Sequence, residues 1–356
     1  MTIAELARPE LRALQPYEAA QQVEDTIRLN ANEAPWSSSA DRFRRPLNRY
    51  PEIRPARLAR ALGDYFSCDP ARLLVTRGTS EAIDLLIRAF CREGRDNIVT
   101  TSPTFSMYAH YAAVQGAAHR AVATRPADDF AVDTDAILSA CDDRTRLVFI
   151  CSPNNPTGTL VSRAALVDLL ERRGDRSAIV VDEAYVEFSG EASAVELLDR
   201  FPNLVVLRTL SKALAFAGAR CGAVMGPADV IRILNAIQAP YAMATPVVEC
   251  VEDALQSAAI DAARDRIAEI VAERERLMAA LATCACVDKV WPSAANFFLV
   301  RVRDGQAVMR SARDHGILLR DFGRSLPDCI RITVGERSEN EHLLALFAAI
   351  DGGASR

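Results

Sequence analysis

Lys212 lies in the segment TLSKALAFAGARCG, residues 209–222, among apolar neighbours and with no other lysine for dozens of residues on either side. Arg220 follows eight positions later. A lysine so placed can condense with an aldehyde to form a Schiff base and then carry a proton to and from the bonded carbon. An arginine nearby supplies a fixed positive charge for an anion. Three other segments offer matching chemistry. Asp182 ends the apolar run SAIVVD and is followed by Tyr185; Asn155 lies in PNNPTG, directly after LVFICS; and Gly78-Thr79-Ser80 follows ARLLVT at the start of a helical pattern. Each has a simpler use as a turn, a helix cap or a solvated charge. Their coincidence at the carboxyl ends of successive apolar runs is the stronger observation.

Those runs define the elements that must position the chemistry. ARLLVT, TRLVFICS, SAIVVDEA and NLVVLRT are compact and apolar, as strands of a sheet covered on both faces are. Between them lie amphipathic segments such as SEAIDLLIRAF, in which Ala82, Leu85, Leu86, Ala89 and Phe90 follow the helical repeat. The pattern predicts an α/β fold with a mainly parallel central sheet, and ligands of such sheets collect at the carboxyl ends of the strands. Pro246 to Ala282 reads as one long helix. NFFLVRV, GILLRD and CIRITVG then read as strands of a smaller α+β unit. The expected division is an N-terminal arm over 1–50, a large domain over 51–245, and a connecting helix with a small domain over 246–356.

Length and composition narrow the partners. The 356 residues are half hydrophobic and a quarter charged, with a formal charge of −5. That balance gives no electrostatic reason to expect nucleic acid or an anionic membrane. No apolar run approaches the roughly 18 residues of a membrane span, and the N-terminus lacks a signal-like apolar core, so the expected location is cytoplasmic. Nine cysteines and four histidines are scattered without metal-ligand spacing, so no metal site is expected.

Taken together, the groups suit a phosphorylated pyridine aldehyde. The helix start at Gly78, with the hydroxyls of Thr79, Ser80, Thr209 and Ser211, offers donors to a phosphate, and Arg220 adds charge. Asp182 could pair with the ring nitrogen and make the ring an electron sink, with Lys212 on the aldehyde.

The chain resembles the fold-type-I, pyridoxal-phosphate-dependent aminotransferases of class I/II. The likeness runs from about Tyr17 to the C-terminal helix and is carried by LNANEAP, NRYPE, RGTSEAIDLLIRAFC, CSPNNPTG, DEAYVEF, TLSKALAFAGARCG, APYAMATPV and RITVGERSEN. NRYPE, APY and RITVG pull it toward the branch that acts on histidinol phosphate. The resemblance implies transfer of an amino group from histidinol phosphate to 2-oxoglutarate, giving imidazole-acetol phosphate and glutamate. Related branches transaminate aromatic amino acids or decarboxylate threonine phosphate. It further implies that Asn155 and Tyr185 bond the cofactor's phenolic oxygen and that Tyr108 stacks on its ring. By the same likeness Tyr50 reaches the cofactor phosphate of a second subunit, making the active unit a homodimer with shared sites. Arg331, with Arg320 and Tyr17, would receive the substrate's anionic group. The chain departs from the family pattern at Thr79 and Ser80, where many relatives carry Ala and Asp. It departs again at Phe105 and Ser106, where many carry Tyr and Gly.

Overall fold

The computed structural model describes residues 2–17, 22 and 26–353. A short helix α1 (Pro9–Arg12) precedes an irregular stretch, and α2 (Ala56–Phe66) leads into β1 (Leu73–Thr76). Helix–strand alternation follows: α3 (Thr79–Phe90), β2 (Asn97–Ser102), α4 (Met107–Gln115), β3 (Ala118–Ala123), α5 (Thr134–Ala140), β4 (Thr145–Cys151) and α6 (Arg163–Arg173). Then come β5 (Ala178–Asp182), β6 (Leu204–Thr209), β7 (Gly222–Met225) and α7 (Ala228–Ile237).

These seven strands form one sheet in the order β1-β7-β6-β5-β4-β2-β3. Pairings from β3 across to β6 are parallel, and only β7 runs against its neighbours. Every residue of β1, β5, β6 and β7 is buried, which is why these strands read as continuous apolar runs rather than alternating ones. The two faces still separate by the period of two that a strand imposes. Val148, Ile150, Ile179, Val181, Leu204 and Val206 belong to one core, with Leu58, Leu62 and Leu169 from α2 and α6. Leu147, Phe149, Cys151, Val180, Val205 and Leu207 belong to the other, with Ile83, Leu86 and Ala112 from α3 and α4.

The segment read as one helix from Pro246 to Ala282 is two, α8 (Thr245–Ala254) and α9 (Ser257–Leu281). Gln256 has extended backbone (φ −72°, ψ 148°) and caps α9, while its side-chain amide donates to the Glu252 carbonyl at the end of α8. The apolar periodicity runs through the break, so the sequence pattern does not mark it.

Beyond α9 lie β8 (Val287–Val290), β9 (Phe297–Val302), α10 (Gly305–Asp314), β10 (Arg320–Asp321), β11 (Cys329–Thr333) and α11 (Arg337–Gly353). The second sheet, β10-β11-β9-β8, is antiparallel throughout. Of the expected strand GILLRD, only its last two residues pair. One face packs Phe298, Val300, Ile330 and Ile332 on Leu277, Leu281 and Phe347 of α9 and α11. Arg331, between Ile330 and Ile332, must therefore point the opposite way, and the register sets Arg320 directly across from it. No helix among the described residues is long and apolar enough to cross a membrane.

Candidate active site

The strand period that divides the two cores also assembles the site. Cys151 ends β4, Asp182 ends β5 and pairs in register with Cys151, and Thr209 ends β6. All three continue the series that faces α3 and α4, so their side chains emerge together at the carboxyl edge. There they line a cavity of about 510 Å³, with Thr79, Ser80, Asn155, Tyr185, Ser211, Lys212, Arg220, Arg320 and Arg331.

At one end is an anion cradle. Gly78 caps α3 with φ +77° and no side chain caps the helix, leaving its first amides directed at the cavity with their partial positive charge. A Cβ on Gly78 would lie 2.7 Å from Arg220 Nη2, so only glycine lets the guanidinium sit against this helix start. Arg220 Nη1 donates to Ser211 Oγ (3.3 Å) and to the Ala217 carbonyl (3.1 Å), and Thr209 Oγ1 donates to Ser211 Oγ (2.9 Å).

At the floor is Asp182, 2% exposed. Its Oδ2 accepts from Tyr108 Oη (2.8 Å) and its Oδ1 from the Ala184 amide (3.2 Å). Burial pushes its pKa up to about 6, with those two donors opposing the shift. A buried carboxylate with two neutral donors and no cation fits a positively charged ring N–H as the missing partner.

Lys212 stands in the loop between β6 and β7, open to the cavity, its Nζ 5.7 Å from the Tyr185 ring centre. Surrounding protein, then Arg331, then Arg220 hold its pKa below the usual lysine range. Burial chiefly, then Cys151 and Asp182, push the Tyr185 phenol up. Its hydroxyl accepts from Asn155 Nδ2 (3.3 Å), and Asn155 Oδ1 in turn accepts from Arg331 Nη1 (2.5 Å). Arg331 lies over Phe297 and Phe322, and Arg320 also lies over Phe322 (ring distances 5.1, 5.7 and 6.0 Å). Like charges set opposite each other on adjacent strands repel, and Arg331 Nε is buried without a hydrogen-bond partner. An anion entering the cavity would relieve both.

Three residues named from the sequence lie elsewhere. Tyr108 does not reach the cavity: it sits in the first turn of α4, fully buried, stacked on Phe149 (4.8 Å, 18°) beneath the sheet edge. Phe105, three residues earlier, lines the cavity instead, with its ring edge-on to Tyr108 (5.7 Å, 87°). Expecting Tyr108 to stack on a cofactor ring is thus corrected, because the helix turns that side chain toward β4. Tyr50 is half exposed and stacks on Tyr241 (4.7 Å, 21°), and Tyr17 is 61% exposed; neither lines the cavity of its own chain. Thr104, Cys151, Ala184, Ala217 and Phe322 line it without having been singled out as site residues, and Ser106, noted only as a departure from the family pattern, lines it too. For Phe322 the available signal was its place two residues after Arg320, on the same side of an extended strand end.

Residues 18–347 match the aminotransferase class I and II family. The chain is 43% identical over 353 residues to a histidinol-phosphate aminotransferase of Aeromonas hydrophila, covering 98% of each chain. Among solved structures, a putative aminotransferase from Burkholderia pseudomallei is 32% identical, with a TM-score of 0.73 over 86% of this chain and 90% of that one. A histidinol-phosphate aminotransferase from Sinorhizobium meliloti, in complex with pyridoxal-5'-phosphate, shares the fold with a TM-score of 0.76. It is 24% identical and the match covers 85% of this chain and 84% of that one.

Proposed function

The chain belongs to the class I and II aminotransferase family, and we propose that it moves the amino group of L-histidinol phosphate to 2-oxoglutarate, giving imidazole-acetol phosphate and L-glutamate. Such a step belongs to histidine biosynthesis. Its cofactor is pyridoxal 5'-phosphate. The residues present fit that group: the α3 start with Thr79, Ser80, Thr209, Ser211 and Arg220 would hold its phosphate, and Asp182 its ring nitrogen. Asn155 and Tyr185 would hold its phenolic oxygen, and Lys212 its aldehyde carbon. When bound, the cofactor supplies an electron sink for the carbon that loses a proton.

The chain's own groups do the rest. Lys212 Nζ, whose pKa its surroundings hold below the usual lysine range, would take the proton from the substrate carbon that carries nitrogen and return it on the far side of the transfer. Asp182, ionised, keeps the ring nitrogen protonated. Arg331 and Arg320 receive the phosphate of one substrate and the distal carboxylate of the other in turn, which a two-stage reaction through one cavity requires.

The observation that carries the reading is the Arg320–Arg331 pair, opposed across β10 and β11 and aimed into the cavity that holds Lys212. Turnover of histidinol phosphate, phenylalanine and O-phosphothreonine, measured side by side, tests it. Histidinol phosphate should give the highest kcat/KM. A clear lead for phenylalanine would favour an aromatic-amino-acid aminotransferase, a reading supported by the aromatic walls Phe105 and Phe322.

The same proposal makes the working unit a cytoplasmic homodimer. Tyr50 and Tyr17, outside their own cavity, would complete the site of the neighbouring copy. Residues 51–245 and 246–356 would act as a large and a small domain closing on substrate, with 1–50 as the arm.

A further inference from the structure

Tyr108 lies behind the cavity wall, yet among the described residues its hydroxyl is one of two donors that reach the side chain of the buried acid on the cavity floor. The first turn of α4 directs the ring onto Phe149 of β4, where it is sealed from solvent. A phenylalanine would fill the same space and make the same stack. The hydroxyl therefore needs its own explanation: it donates to Asp182 Oδ2 at 2.8 Å, and the buried Cys151 thiol, the other polar group beside it, is the weaker acceptor. Burial and the adjacent Asp182 push the phenol well above its usual range, so it donates and never competes for the proton.

We propose that Tyr108 is a positioning residue: its hydroxyl bond to Asp182 Oδ2 makes that carboxylate the weaker base of the pair it forms with the cofactor's ring nitrogen, so the proton stays on the ring. The proposal rests on the pairing of Asp182 given above. A donor aimed at a carboxylate favours the charged form. Here the donor opposes burial, which acts the other way. The other groups facing Asp182 do not replace it. Cys151 and Tyr185 are held neutral by burial. Lys212, Arg220 and Arg331 line the cavity and none is among the groups that set the acid's pKa.

The test compares wild type with Tyr108→Phe, each loaded with pyridoxal phosphate carrying ¹⁵N in the ring. Wild type should show the resonance of a protonated ring nitrogen across the neutral range, and Tyr108→Phe should move toward the unprotonated value. A second measurement uses the full chain freed of cofactor, unfolded by urea as a function of pH. Asp182 has a folded pKa of about 6, above the unfolded value of about 3.9. Its stabilising contribution is thus complete below about pH 4 and lost as pH rises through about 6. Removing the hydroxyl should carry that loss about one unit higher, so the two stability curves diverge between about pH 6 and 7. In an Asp182→Asn background they should run parallel. If the wild-type ring nitrogen proves protonated but neither its resonance nor the pH dependence responds to Tyr108→Phe, the proposal is overturned and the pairing stands. An unprotonated ring in wild type overturns both.

Discussion

The cavity and the N-terminal arm satisfy their side chains in opposite ways. In the cavity, strand ends and one helix start fix each functional group, and the polar atoms bond one another within a single chain. Over residues 26–50 the arm has neither helix nor strand. Its polar groups are nevertheless well partnered: Glu33 takes Arg28, Arg49 and the Tyr50 amide, while Glu249 of α8 takes the amides of Arg44 and Arg45. Its apolar groups are not covered. Ile27, Leu29 and Trp36 are 90%, 91% and 75% exposed. Exposed apolar patches of this kind mark surfaces made for another molecule. The contrast teaches that this fold builds its chemistry from its own sheet and holds the arm's backbone by charge; in the proposed homodimer the arm's exposed side chains would face the second copy. Cavity substitutions should then alter chemistry without altering assembly, whereas arm substitutions should act through the neighbouring copy.

Lys212→Ala should have the largest effect, abolishing transamination almost entirely while leaving a dimer of unchanged mass by light scattering. The chain has only two lysines, and Lys289 is paired with Asp129 (2.6 Å). Borohydride reduction of the loaded protein should therefore fix the cofactor to the peptide containing Lys212. Finding it on Lys289 would remove Lys212 from its role. Asp182→Ala comes next. Rates should fall by orders of magnitude, because an unprotonated ring delocalises the electron pair poorly, and cofactor should wash out on dialysis. Near-normal turnover would contradict the pairing.

Arg331→Leu should be milder and more selective. A hydrogen bond to a charged group is worth about 1.5–3 kcal/mol, so KM for histidinol phosphate and glutamate should each rise about 10- to 100-fold. Equal losses would mean one guanidinium serves both anions; a loss confined to glutamate would assign the phosphate to Arg320. Arg331 is also one of two cations that hold the Lys212 pKa down, after burial. Its removal should raise that pKa, so the pH at which Lys212 becomes open to acylation should move up. The shift is read by peptide mass in the cofactor-free protein, and an unmoved midpoint would leave burial and Arg220 as the causes.

How far the sequence showed these features depends on which force shaped each one. The buried parallel strands were legible because full burial leaves continuous apolar runs, and Asp182, Asn155, Thr209 and Lys212 were legible because such strands end where ligands sit. Phe105 and Tyr108 were not distinguishable: both are aromatic, one helical turn apart at the mouth of α4, and only the packing on Phe149 decides which ring faces inward. The break at Gln256 was hidden because one residue of extended backbone does not disturb an apolar repeat. Arg320 and Arg331 were each visible, but their opposition is a matter of strand register. The arm was the least legible part, since it has no periodicity and Ile27, Leu29 and Trp36 find no cover in their own chain.

Tyr50→Phe should have the smallest effect and is the sharpest test of the arm. Its ring stacks on Tyr241 and its side chain is half exposed, so losing one hydroxyl should not disturb the fold of its own chain. If that hydroxyl reaches the phosphate in the neighbouring copy, the cofactor's dissociation constant should rise about tenfold, the low end for a bond to a charged group. Tyr50→Ala, which also removes the ring, should do more. When it is mixed and refolded with Lys212→Ala, heterodimers form in which one site carries both lesions and the other carries neither. Activity should then return to a fraction of sites, although neither parent is active. If no activity returns while mixed dimers are present by mass, the two residues serve the same chain's site, and the arm's exposed apolar groups need a different partner.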